Sequence, residues 1–321
     1  MPVNRRLSRI IEAGRSVLGP RLGRLQHYAA RPLRPSGPGA TQSVDREEMP
    51  SIGIVTPSYQ QGRFLAATVA SVLDQNYPAL KYYVEDGGST DESVDVLRSF
   101  GDRLSGWKTG RDGGQSHALN LGFGRLDTQI MAYLNSDDLL LPGALRVVGG
   151  YFARHLDVDV IYGDRILIDE AGQEIGNWRL PPHSSAVLSW ADYVPQETLF
   201  WRKAAWDKIG GRIDETFRFA MDWDLILRLR DSGARFKHLP RFLGAFRVHT
   251  SQKTAVGLAG IGQDEMRILR RRALGFDPTS WQIRGALAPY LAAHMVVDLS
   301  QRLKEALMAH AGASGNVPLR R

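Results

Sequence analysis

From Ser51 onward the chain alternates short apolar runs with longer stretches whose apolar residues recur every three or four positions. Ile52 to Val55 reads as a strand. Leu65, Val69, Val72 and Leu73 then line one face of a helix over Phe64 to Leu73. Tyr82 to Val84 reads as a second strand, and a helix follows from Asp91 to Phe100. A weak strand near Trp107 leads through Gly113-Gly114 into a helix ending near Asn120. Ile130 to Leu134 is a buried strand, with a helix from Pro142 to Phe152 and a strand over Val158 to Tyr162 behind it. This alternation predicts an α/β fold with a mostly parallel sheet flanked by helices. Right-handed crossovers place the loops after the strands on one edge, which receives Thr56 to Tyr59, Asp86 to Ser89 and Asn135 to Asp138.

The pattern loosens in the second half. Asp169 to Gly172 suits a hairpin turn, Gln196 to Arg202 is strand-like, and Met221-Asp222-Trp223-Asp224 opens a helix. Arg235 to Val248 reads as one or two strands broken at Pro240. Beyond Thr250 the chain turns helical and basic. The apolar stretch from Trp281 to Leu299 is interrupted by Arg284, Pro289, His294 and Asp298, which predicts a packed or surface-lying helix rather than a spanning one. Three parts follow: an N-terminal extension and linker over 1–49, a catalytic unit over 50–254, and a C-terminal helical extension over 255–321.

Charge changes this picture at one end. Residues 1–34 hold eight Arg and one Glu, so they account for the whole formal charge of +7. Leu7, Ile10, Ile11 and Leu18 fall at near-helical spacing among those arginines, a basic amphipathic helix suited to an anionic membrane surface, with a solvated tail or a helix packed on a partner chain as the alternatives. The remaining residues sum to zero, which argues against nucleic acid as a partner of the folded body. The chain has no cysteine, which removes disulfides, thiolate metal sites and thiol catalysis and fits a reducing compartment.

Several chemistries are excluded by missing motifs. The first βα turn lacks G-x-G-x-x-G, and no phosphate-binding G-x-x-x-x-G-K-[ST], G-x-S-x-G elbow or H-E-x-x-H helix occurs. What remains is Asn135-Ser136-Asp137-Asp138 at a strand end, with Asp222 and His249 further on. Two carboxylates beside an amide suit a hard divalent cation and the phosphates it brings. The same four residues also suit a turn and a helix N-cap.

The segments IGIVTPSYQQGRFLAATVASVLDQNYP, VEDGGSTDES, DGGQSHALNLGF, YLNSDDLLLPGAL, VDVIYGD, VPQETLFWR, MDWDLILRL and FRVHTSQKT together resemble family 2 glycosyltransferases, over roughly residues 50–254. The resemblance implies a GT-A, Rossmann-like fold and inverting transfer of a sugar from a nucleotide donor. UDP is the donor nucleotide it favours, with dTDP and GDP as alternatives. A glycan or lipid-linked glycan would be the acceptor, as in polysaccharide biosynthesis. With the absence of cysteine, the expected location is cytoplasmic, peripheral on the inner face of the membrane if residues 1–34 dock there.

The resemblance also assigns roles. Thr56, Pro57 and Tyr59 would line the base pocket, Asp86 would bond the base, and Asn135 and Ser136 would meet the rest of the nucleotide. Asn135 departs from the family's Asp-x-Asp motif and removes one charge from the metal site. Asp137 and His249 would hold Mn²⁺ or Mg²⁺ on the diphosphate, with Lys253 nearby. Asp222 would be the general base, with Asp224 as its rival. Gln115, Gln196, Trp201 and Asp138 would touch donor or acceptor sugar, although Trp201 is equally suited to the core and Asp138 to a helix cap. The alternative is a non-catalytic module that binds nucleotide-sugar or glycan at a membrane surface.

Overall fold

The computed structural model describes residues 21–33, 49–252 and 258–314. The expected amphipathic helix before residue 21, most of the linker and Lys253 lie outside them.

The strands are β1 (Ile52–Ser58), β2 (Leu80–Asp86), β3 (Gly106–Thr109), β4 (Ile130–Tyr133), β5 (Leu139–Leu140), β6 (Val160–Ile168), β7 (Glu174–Trp178), β8 (Phe200–Arg202) and β9 (Phe236–Arg247). The main helices are α1 (Gly62–Leu73), α2 (Ser93–Phe100), α3 (Gln115–Phe123), α4 (Ala144–Arg154), α5 (Lys203–Lys208), α6 (Met221–Asp231), α7 (Gln263–Leu274) and α8 (Ser280–Ser314). One nine-stranded sheet runs β3-β2-β1-β4-β8-β6-β9-β5, with β7 paired to β6. The half from β3 to β4 is parallel throughout, as the βα alternation predicts. The other half is mixed, because β8 lies antiparallel between β4 and β6 while β6 and β9 run parallel.

Period-two alternation sorts side chains to the two faces. Ile52, Ile54, Tyr82, Val84 and Ile130 meet α1, α2 and α4 on one face. Val55, Met131 and Tyr133 meet α3, α6 and the Trp201–Trp206 pair on the other. Helix α3 approaches β1 closely because residue 122 is glycine. A Cβ built there would lie 2.4 Å from Val55 Cγ1. Gly122→Ala is therefore expected to destabilise the protein by about 1–3 kcal/mol, read from the urea midpoint. An unchanged midpoint would mean that α3 can retreat from the sheet at no cost.

Three expectations are corrected. The turn expected at Thr56 is strand: β1 continues to Ser58 against β2. Pro57 is tolerated there because β4 pairs with β1 only as far as Val55, so no ladder partner needs the missing N–H. Pro240 does not break β9, whose register against β6 instead skips from Leu239 to Phe242 as a bulge. The strand expected from Gln196 begins at Phe200, after a 3₁₀ turn over Gln196–Thr198.

The N-terminal extension is partly built into the fold. His27 N–H donates to the Ile175 carbonyl (2.8 Å), and Arg31 Nη2 donates to the buried Glu174 carboxylate (2.6 Å), as does the Tyr28 hydroxyl. The Arg21 and Leu22 N–H groups both donate to His294 Nε2 on α8 at 3.2 Å. With Nε2 accepting, Nδ1 carries the proton and donates to the Arg179 carbonyl at 2.7 Å. Burial lowers the pKa of this imidazole, in keeping with a neutral ring.

Candidate active site

A cavity of about 810 Å³ opens at the carboxyl ends of β1, β2 and β4, where ligands enter open α/β sheets. Pro57, Ser58, Tyr59, Gln115, Asn135, Ser136, Asp137, Asp138, Gln196 and Asp222 all line it. Leu25 and Met266 close it from outside the central unit.

At its centre three amides form a chain. Gln115 Nε2 donates to Asn135 Oδ1 (2.7 Å), Asn135 Nδ2 donates to Gln196 Oε1 (3.1 Å), and Gln196 Nε2 donates to the Tyr133 carbonyl (2.7 Å). Asn135 serves as acceptor and donor at once. A carboxylate at this position could only accept, which gives the departure from Asp-x-Asp a structural reason.

The next two carboxylates have different surroundings. Asp137 is partly open to the cavity, and its Oδ2 lies 3.0 Å from His249 Nε2. The His249 imidazole is fully buried behind it, on the Phe64 ring (5.0 Å), with Nδ1 3.0 Å from Ser251 Oγ. The Arg247 guanidinium lies 4.7 Å from the same ring, and its Nε donates to the Asp137 carbonyl. Asp138 is 1% exposed, and its Oδ1 accepts the Arg247 N–H at 2.9 Å. Burial, then the Asp137 charge, hold the Asp138 carboxyl well above the usual carboxylate range. Asp138 thus pins the loop to the end of β9.

Among the described residues no three His, Cys, Asp or Glu side chains converge as a metal cage. The Asp137–His249 pair still suits a divalent cation. It offers one carboxylate oxygen and one imidazole nitrogen already in contact, and Ser251 Oγ can accept from Nδ1 so that Nε2 is available. An ion held by two protein groups takes its remaining ligands from phosphate and water.

Asp222 stands in the first turn of α6, half-buried, with Oδ1 accepting the Trp223 N–H at 2.9 Å. Its rival Asp224 is fully buried and committed to Arg228 Nε (2.7 Å) and Arg272 Nη2 (2.6 Å). The approach to Asp222 is held from α7, where the Glu265 carboxylate accepts the N–H groups of Arg218, Phe219 and Ala220, each at 2.8 Å. A second carboxylate, Asp192, shares the cavity wall and is open to it. Enclosing protein and the charge of Asp222 raise the pKa of the Asp192 carboxyl well above its ordinary value.

Besides His249, which is buried behind Asp137, three sequence candidates do not reach the cavity. Thr56 is inside the sheet, with its hydroxyl 2.9 Å from that of Tyr82. Asp86 is 3% exposed and its carboxylate is occupied by its own turn, accepting from Ser89 N–H (2.9 Å), Ser89 Oγ (2.5 Å) and Thr109 Oγ1 (2.6 Å). Trp201 is fully buried, edge-on to Phe123 at 5.7 Å and beside Trp206 at 5.9 Å, so it packs the core instead of stacking on sugar. Asp192, Glu265 and Arg165 went unsuspected in the sequence, since none stands in a quoted motif, and Glu197 was passed over although it lies within VPQETLFWR.

A sequence model described as glycosyl transferase family 2 matches residues 53–212, about half of the chain, and stops short of Asp222 and His249. The chain is 28% identical over 206 residues to the O-antigen biosynthesis protein RfbC of Myxococcus xanthus, covering 62% of this chain and 16% of that protein. It is 26% identical over 201 residues to the chondroitin synthase of Escherichia coli, covering 62% and 29%. A PGL/p-HBAD biosynthesis glycosyltransferase of Mycobacterium bovis is 26% identical over 198 residues, covering 59% and 75%. The chain therefore spans less than a third of the first two relatives. In fold it resembles the crystal structure of S. aureus TarS in complex with UDP-GlcNAc, with a TM-score of 0.59 at 15% identity, covering 77% of this chain and 73% of that one.

Proposed function

The chain belongs to glycosyltransferase family 2, and on that premise we propose that it moves a sugar, with inversion, from a nucleoside-diphosphate donor to a hydroxyl of a glycan or lipid-linked glycan. The observation that carries this reading is that Asp222 and Asp137 face one cavity at the sheet's carboxyl edge, with His249 buried directly behind Asp137. The acceptor hydroxyl attacks the anomeric carbon opposite the diphosphate, and its proton passes to the Asp222 carboxylate. As the new C–O bond forms, the bond from the anomeric carbon to the diphosphate oxygen breaks, and that oxygen keeps the electron pair. Mn²⁺ or Mg²⁺ held at Asp137 and His249 would offset the charge on the departing diphosphate. Pro57, Tyr59 and the Gln115–Asn135–Gln196 chain orient the nucleotide and the transferred sugar. The names of the relatives, O-antigen biosynthesis and chondroitin synthase, support polysaccharide as the acceptor class.

The reading is tested by thermal shift with UDP, dTDP, GDP, CDP and ADP, each with and without Mn²⁺. A nucleotide at a hundred times its Kd stabilises the folded state by about 2.7 kcal/mol. The expected result is a shift for one nucleotide, UDP first, that EDTA removes and Asp137→Ala abolishes. A full shift in EDTA would count against the metal role. No shift for any nucleotide from a well-folded sample would favour a glycan-binding module without transfer.

A further inference from the structure

Helix α8 turns an apolar face outward. Its inward side is set by Tyr290, His294 and Asp298, which are buried against the rest of the fold. At 3.6 residues per turn the opposite side is an arc of about 120°. Trp281, Gly285 and Ala288 occupy it first, Ala292, Val296 and Leu299 repeat the pattern, and Leu303 and Leu307 continue it. All eight are exposed, Trp281 by 81%, and Val296 and Leu307 by 70% each. No acidic residue occupies a position in the arc, and exposed Arg284 and Lys304 stand along its borders. The stripe extends about 39 Å at 1.5 Å per residue. No helix among the described residues is long and apolar enough to cross a membrane.

We propose that this outer face of α8 lies on an anionic lipid surface and holds the enzyme there. Three observations favour lipid over a second copy of the chain. The apolar positions are spaced four, three, four, four, three, four and four, an eleven-residue repeat rather than a seven-residue one. Such a repeat, about 3.67 residues per turn, drifts only slightly and toward a right-handed supercoil, so the stripe stays close to one side of the helix and fits a plane. A left-handed coiled coil instead needs the heptad. The arc is also wider than the two-position seam of a coiled coil. Finally, Arg284 and Lys304 would face like charges in a paired copy but phosphates in a membrane. Arg21 and Leu22 bond to His294 on the inner side of this helix and so leave its outer face uncovered.

Flotation of the full chain with phosphatidylcholine vesicles, with and without phosphatidylglycerol, tests the proposal. Co-flotation with the anionic vesicles is expected. Val296→Glu with Leu303→Glu should cut it on the order of tenfold, since two charges enter the apolar face. Both sites are exposed, so the urea midpoint should not move. Ile10→Glu with Ile11→Glu should leave most of the flotation intact. Flotation unchanged by the α8 substitutions, or lost only with the Ile10 and Ile11 pair, would overturn the assignment. So would a dimer by light scattering that the α8 substitutions turn into a monomer without affecting flotation.

Discussion

Asp222→Asn is expected to lower kcat by about 10²- to 10⁴-fold, the usual contribution of a positioned general base. The amide keeps the size of the side chain, and its carbonyl oxygen can still accept the Trp223 N–H. The first turn of α6 should therefore survive. Nucleotide binding should survive too, because Asn135, Gln115 and Gln196 hold one another without Asp222. Asp224→Asn provides the contrast. It weakens two ion pairs of a fully buried carboxylate, to the partly exposed Arg228 and Arg272, and should lower stability more than it lowers turnover of the folded enzyme. Asp192 enters the comparison because it lines the same cavity wall, and burial with the charge of Asp222 raises the pKa of its carboxyl. The decisive measurement is kcat beside the nucleotide-induced thermal shift for each variant. Turnover of Asp222→Asn within tenfold of the unmodified enzyme, or loss of the nucleotide shift, would remove the base assignment.

The elements around this carboxylate were legible in the sequence to different depths. Strands β1, β2 and β4 and helices α1 to α4 are buried on regular faces, and burial of that kind writes itself as periodicity. The loop after β4 was legible for the same reason, which is why Asn135 and Asp137 could be marked as candidates, whereas Asp222, in the first turn of α6, was marked by the family resemblance. What periodicity cannot encode is the direction in which a polar side chain points. Thr56 and Asp86 each stand next to a cavity-lining residue, Pro57 and Gly87, yet Thr56 bonds Tyr82 and Asp86 bonds its own turn. Trp201 posed the same problem, since a tryptophan near a sugar site looks the same in sequence whether it stacks on the ligand or fills the core. The contribution of Glu265 is less accessible still. Its carboxylate reaches back more than forty residues to Arg218, Phe219 and Ala220, a contact set by tertiary packing rather than by any local signal.

Behind the cavity, the Arg165–Glu197 pair leads to the second large expectation: Glu197→Ala should destabilise the fold by about 3–5 kcal/mol. Arg165 Nε donates to Glu197 Oε1 at 2.8 Å, and its Nη2 donates to Oε2. Arg165 is 8% and Glu197 2% exposed. The guanidinium is also flanked by the Trp178 and Phe246 rings, at 4.8 and 4.6 Å. Removing the carboxylate leaves a buried cation with ring faces but no counter-charge, and that uncompensated charge is the costly outcome. Removing both charges costs less, so Arg165→Met combined with Glu197→Leu should recover much of the stability that either single change forfeits. The double variant should nonetheless be impaired in turnover. Arg165 is a positive charge that works against the raised pKa of Asp192, and without it that carboxyl is pushed further from ionisation, whereas at Asp138 the simultaneous loss of the Glu197 charge acts the other way. Urea denaturation of the four-member cycle, with kcat measured for each folded variant, separates the two roles. A Glu197→Ala loss below about 1 kcal/mol would show that water reaches Arg165 and that the pair is not the buried bridge described here.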